Sequence, residues 1–139
     1  MMIDHGDYKP GKEVRVTSAT GGQKGQKNIR LGGADPIAML ELGRVYGMGE
    51  TKYDRFNYLK GYSWSLSIDA LKRHLLAYES GEDYDECPQH PGRYDDDHAY
   101  DPSVCEGSGL LHTAHVAWHG LTLTSFLMRG IGTDDRPPR

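Results

Sequence analysis

GLLHTAHVAWHGLTLTSFLM, residues 109–128, is the longest apolar-rich segment of the chain, and its reading decides the fold. On a helix turning about 100° per residue, Leu111, Ala114, Trp118 and Leu121 share one side. His112, His115 and His119 stand at i, i+3 and i+7, within about 60° of one another on a second side. A helix with one apolar side and an imidazole stripe at its edge suits the centre of a small bundle, so the fold class expected is all-α. Upstream, SLSIDALKRHLLAYE (65–79) puts Ile68, Leu71, Leu75 and Tyr78 on one stripe, with Ser65 or Ser67 as cap and Asp69 early, where it suits the helix dipole. A further helix is predicted in ADPIAMLELGRVYGMG, with Asp35 as N-cap, Pro36 at the first helical position, and Gly47 and Gly49 closing it.

The remaining segments read as irregular. Residues 1–34 form an arm rich in Gly, Lys, Gln and Thr that is expected to lie over the domain, with one brief alternation in EVRVT. The helical domain takes 35–129 and carries a loop insertion over 86–107 containing Pro88, Pro91 and Pro102. The tail 130–139 is expected to be disordered.

At 139 residues the chain fits one domain. No apolar run reaches the roughly 20 residues needed to span a bilayer, so no membrane partner is expected. The opening MMIDHGDYKPGKEVRV has no signal-peptide pattern, which sets a cytoplasmic expectation, and two cysteines there are read as free thiols or metal ligands. A net charge of −4 provides no field for stable nucleic-acid binding, so an anionic ligand would be held by local Lys and Arg or by a metal.

Six of the seven histidines and both cysteines fall within residues 74–119. Besides the stripe on the last helix, His74 follows Arg73 on the preceding one, which ends in ESGEDYDE. Carboxylates crowded at a helix C-terminus oppose its dipole and repel one another unless a cation neutralises them. Glu82, Asp83 and Asp85 with His74, His112 and His115 are therefore candidate ligands for Mg²⁺ or Mn²⁺, the two helices forming two walls of one pocket. Each histidine taken alone also reads as a core residue satisfied by a hydrogen bond. Lys24, Lys27 and Arg30, set among glycines in GGQKGQKNIR, could hold a polyphosphate if the arm folds over that pocket, and otherwise form a solvated basic loop. Cys87, His90, His98 and Cys105 read C-x2-H-x7-H-x6-C, the ligand types of a structural Zn²⁺ site without a standard spacing; the alternative is two free thiols and two surface histidines.

Taken in order, GGQKGQKNIR, MLELGRVYGMGETKYDRFNYLKGYSWSLSIDALKRHLLAYESGEDYD and SGLLHTAHVAWHGLTL resemble the phage family of dATP/dGTP diphosphohydrolase N-terminal domains, which are MazG-like. The resemblance covers residues 21–119 and falls on Lys24, Glu41, Lys52 with Tyr53, Asn57, Arg73 with His74, Glu82, Asp85, His112 and His115. It implies an all-α bundle of MazG type that removes pyrophosphate from dGTP or dATP in the host cytoplasm. It also implies assembly as a dimer or larger homo-oligomer. Within it, Glu41 or Glu82 would orient the attacking water, Lys24, Lys27, Arg30, Lys52 and Arg73 would meet the phosphates, and Tyr53, Asn57 and Trp64 would hold the base. The broader MazG fold places carboxylates on both facing helices; in this chain His112 and His115 stand at the second of those places. A His/Asp triphosphohydrolase would use similar ligands to make a different product, and a zinc-stabilised binding module is the non-enzymatic alternative.

Overall fold

The computed structural model describes residues 11–90 and 100–139. Its first element corrects the all-α expectation. Strand β1, Val14–Thr17, pairs antiparallel with β2, Gln23–Gln26, in the register Val14↔Gln26 to Thr17↔Gln23. The domain is therefore mixed, with three α-helices and a two-stranded sheet. The alternation of EVRVT finds its partner in QKGQ, a segment with no apolar residue, because the pairing rests on backbone hydrogen bonds rather than on a buried face. The turn is closed by Ser18 N–H donating to the Gly22 carbonyl at 2.8 Å, with Gly21 at φ 84°. Nor does the arm cover the domain: among the described residues the hairpin packs against none of the helices.

Helix α1 spans Pro36–Lys52, with the Asp35 carboxylate accepting from Ile37 N–H at 3.0 Å. It runs through Gly47 and Gly49, where the sequence reading ended it. Each glycine costs about 1 kcal/mol against alanine, but Val45 and Met48 pack on the last helix across that stretch, and this contact outweighs the propensity. A short 3₁₀ turn at Asn57–Lys60 follows, entered through Phe56 in the left-handed region at φ 64°.

Helix α2, Trp64–Glu79, has no cap from its own Ser63 side chain. The cap comes from the far end of the chain, where the Asp135 carboxylate accepts Ser65 N–H at 2.9 Å and the Ser65 hydroxyl at 2.5 Å. Trp64 Nε1 donates to the Ile131 carbonyl at 3.0 Å, Trp64 N–H to Thr133, and the Arg136 guanidinium lies 5.0 Å over the indole. The tail 130–139, expected to be disordered, is thus tied to the start of α2. Its polar composition hid this because the ties are hydrogen bonds to one buried tryptophan, not an apolar stripe.

Helix α3, His112–Arg129, ends at Gly130 in the left-handed conformation and packs against both α1 and α2. Val45, Leu110 and Ala114 form the buried centre, with Met48, Leu111 and Trp118 against it. Phe126, fully buried, meets Tyr62 edge-on at 4.9 Å. Before α3 the chain pairs back on the end of the α2 loop. Asp85 N–H donates to Leu110, Gly109 N–H to Asp85, and His112 N–H to Asp83. This brings residues 83–86 alongside 107–111 at the head of α3. Among the described residues no helix is long and apolar enough to cross a membrane.

Candidate functional site

The i, i+3, i+7 spacing on α3 sends His112, His115 and His119 toward α2, and α2 supplies His74 among them. The His74 ring stacks on His115 at 4.2 Å between centroids and 3° between planes, and its Nδ1 lies 2.9 Å from His112 Nδ1. Pairing of 83–86 with 107–111 delivers Asp85 and Ser108 to the same point. Asp85 Oδ2 accepts Ser108 N–H at 3.0 Å and the Ser108 hydroxyl at 2.9 Å, and Ser108 Oγ is 2.7 Å from His115 Nε2. A carboxylate only accepts and the serine has one proton. Ser108 therefore donates to Asp85 and accepts from His115 Nε2–H, which sets the His115 tautomer.

The donor atoms of His74, Asp85 and His115 lie within 4.8 Å of one another. Beside them His112 Nε2 is buried with no hydrogen-bond partner among the described residues, and a Glu82 oxygen stands 3.7 Å away on an exposed side chain. Burial, with His74 alongside, brings the His115 pKa down to about 3 against the opposing pull of Asp85. Burial and His74 bring His119 to about 4, and burial also lowers His74. Neutral imidazole is the form that ligates a metal. One step along α3, Ser67 on α2 bridges His119 Nδ1 at 3.1 Å and the Tyr62 hydroxyl at 2.6 Å.

This cluster lies at one end of a cavity of about 530 Å³. Tyr46, Tyr58 and Trp118 line it, with ring centroids 5.8 to 6.2 Å apart, and Lys52, Tyr53 and Asn57 lie on the α1 side. Lys52 Nζ is 5.0 Å over the ring of Tyr100, a residue of the loop insertion.

Of the residues singled out in the sequence, the structure brings together His74, Asp85, His112 and His115, with Glu82 at the rim, and places Lys52, Tyr53 and Asn57 in the cavity wall. Others fall elsewhere. Glu41 is not in the cavity lining and lies 3.7 Å from Arg44 on α1. Asp83 contributes its backbone carbonyl to the start of α3, and its side chain is exposed. Arg73 is exposed on α2. Trp64 is held by the tail, away from the cavity. Lys24, Lys27 and Arg30 belong to the hairpin segment, which does not fold over the cluster. Sequence reasoning missed Ser108, Ser67, Tyr46 and Tyr58, and assigned Trp118 to the core alone. The one available signal was Ser108 in SGLLH, a serine just ahead of a helix that begins with histidine.

A second cluster lies at the base of the insertion. The donor atoms of Cys87, His90 and Cys105 are also within 4.8 Å of one another, and both thiols are buried and free. His98, the fourth residue of the sequence pattern, lies outside the described residues.

The model of a family described as dATP/dGTP diphosphohydrolase, N-terminal, matches residues 18–136. The chain is 32% identical over 101 residues, 73% of its length, to a protein of Salmonella phage PMBT28 named dATP/dGTP diphosphohydrolase, and the match spans 27% of that protein's length. No solved structure matches the chain significantly. With nearly its whole length matched by that model, the chain belongs to the dATP/dGTP diphosphohydrolase N-terminal family.

Proposed function

We propose that the chain hydrolyses purine deoxynucleoside triphosphates, dGTP or dATP, to the monophosphate and pyrophosphate, with a divalent ion at His74, Asp85 and His115. The observation that carries this reading is the convergence of those three donors, within 4.8 Å, at one end of an aromatic-walled cavity. Two imidazoles and a carboxylate, beside a buried His112 Nε2 with no partner, are a donor set that a divalent cation completes. Imidazole donors favour Mn²⁺ over Mg²⁺, which prefers oxygen. When bound, the ion supplies charge neutralisation on the phosphates and activation of water.

The side chains divide the remaining work. Tyr46, Tyr58 and Trp118 offer faces on which a purine stacks, and the Asn57 amide can read a base edge. Lys52, at the end of α1, balances phosphate charge in place of the hairpin cations. Glu82, with an oxygen 3.7 Å from His112 Nε2, takes a proton from the attacking water. For His115 to ligate through Nε2, the ring would take the tautomer with its proton on Nδ1 and Ser108 would turn aside. The enzyme acts on the nucleotide pool of the host cytoplasm and assembles as a homo-oligomer, a reading supported by Ile37 and Leu40, each 70% or more exposed on α1.

The test is incubation with each of the four deoxynucleoside triphosphates and Mg²⁺ or Mn²⁺, followed by product separation. Monophosphate with pyrophosphate is expected, and Asp85→Asn or His115→Ala should remove the activity. The histidine-rich donor set favours one rival, a His/Asp triphosphohydrolase, and deoxyguanosine with triphosphate as products would establish it instead. No turnover by the metal-replete protein, in this chain or in a longer form carrying it, would leave the binding module.

A further inference from the structure

We propose that Cys87, His90 and Cys105 bind Zn²⁺ as a structural site separate from the catalytic cluster. In a tetrahedral site with Zn–S near 2.3 Å and Zn–N near 2.0 Å, a sulfur and a nitrogen ligand are about 3.6 Å apart. His90 Nδ1 lies 3.4 Å from Cys105 Sγ and 3.8 Å from Cys87 Sγ, on either side of that separation. The thiols are 3% and 7% exposed, yet they lie at the base of a loop and outside the cluster of Val45, Leu110 and Ala114, so their burial serves the loop.

The local backbone is built to hold the three donors. Cys87-Pro-Gln-His90 is a tight turn closed by His90 N–H donating to the Cys87 carbonyl at 3.0 Å, which presents both side chains to one point. Gln89 ties this turn to the segment of Cys105. Its Oε1 accepts Glu106 N–H at 3.1 Å, and its Nε2 donates to Glu106 at 3.0 Å. Gly107 lets the two segments pass: a Cβ there would lie 2.1 Å from the Glu86 carbonyl oxygen. These contacts position the side chains but leave two thiols and an imidazole facing one another. That donor set is soft to borderline and selects Zn²⁺ over the Mg²⁺ or Mn²⁺ suited to a carboxylate-containing site. The fourth position of a tetrahedral ion falls to water or a further donor. The ion would clamp together the two chain segments that meet here, two residues beyond Asp85 and three before Ser108.

The experiment is metal analysis of the protein purified without chelator from zinc-supplemented culture, together with the absorption spectrum after exchange to Co²⁺. The expected result is about one zinc per chain, and on exchange the intense visible bands of tetrahedral cobalt with a near-ultraviolet thiolate-to-cobalt charge-transfer band. Cys87→Ser and Cys105→Ser should lose the zinc and the charge-transfer band, whereas His74→Ala and His115→Ala should retain both. If the cysteine variants do not fold, the wild-type cobalt spectrum decides by itself. Absence of zinc and of the charge-transfer band, a Cys87–Cys105 disulfide, or zinc lost with His74 and His115 rather than with the cysteines would each overturn the assignment. None of these readouts depends on nucleotide turnover, so the zinc site can fail while the hydrolase reading stands, and the reverse.

Discussion

Ser108 holds a carboxylate and a neutral imidazole with one hydroxyl, and its single proton sets how it pairs with both. Removing it in Ser108→Ala leaves Asp85 Oδ2 short of a donor and His115 Nε2–H buried without an acceptor, and takes the acceptor of Leu110 N–H as well. An unsatisfied buried polar group costs about 1–3 kcal/mol, so urea denaturation should show a loss in that range, against less than half of it for Ser108→Thr if the extra methyl is accommodated. His115 makes the metal-free protein acid-sensitive. Its pKa falls from the usual 6.5 when unfolded to about 3 when folded, so between those values the unfolded chain binds the extra proton. Stability therefore rises with pH through this window and is lost as pH falls from 6.5 toward 3. For His115 alone the difference between pH 7 and pH 5 is on the order of 2 kcal/mol. Urea midpoints measured with chelator across that range should drop, and His115→Gln should flatten the drop; a pH-independent midpoint would contradict the buried neutral imidazole. The spacing of His112, His115 and His119 made this stripe legible, since helical periodicity alone puts them on one face. Ser108, Tyr46 and Tyr58 were not legible because the loop pairing and the aromatic wall arise from contacts far apart in sequence. Glu41, Lys24, Lys27 and Arg30 lie outside the cavity lining, since charge and motif order do not say which way an element faces.

At the scale of elements, the ends of the helices depend on distant chain. α2 begins correctly only because the tail returns to it, and the return needs two glycines in close approach. A Cβ on Gly61, already at φ 79°, would lie 2.5 Å from Gly132 N, and one on Gly132, at φ 74°, would lie 2.5 Å from the Tyr62 carbonyl oxygen. Overpacking and left-handed strain act together here, so Gly61→Ala should cost about 1–3 kcal/mol and withdraw Ile131 from the Trp64 indole. Thermal denaturation reads the first effect, and tryptophan emission, shifted to the red as the indole meets water, reads the second. An unchanged emission maximum would show that the tail is not what shelters Trp64. The three helices themselves were readable, with Asp35 and Pro36 marking the start of α1, but the apolar stripes did not say which side is buried, since Ile37, Leu40, Leu75, Tyr78 and Leu121 are exposed. The hairpin and the ordered tail were not readable, because backbone pairing and single hydrogen bonds leave no periodic apolar trace. Gly47 and Gly49 misled about the end of α1, since propensity is weak against packing on α3.

At the scale of the whole molecule, large apolar side chains stand exposed on all three helices: Ile37 and Leu40 one turn apart on α1, Leu66 and Leu76 on α2, and Leu127 on α3. The buried centre among the described residues is small, and exposed apolar surface on a soluble domain commonly serves an interface. The prediction is a solution mass of at least two chains by size-exclusion chromatography with light scattering. Leu40→Glu with Ile37→Glu, both on the outer side of α1 and outside the cavity lining, should shift that mass toward one chain. A wild-type protein that runs as a single chain at micromolar concentration would instead require the apolar surface to be covered by other parts of a longer protein. The same measurement on that longer form would then show its helices protected without self-association.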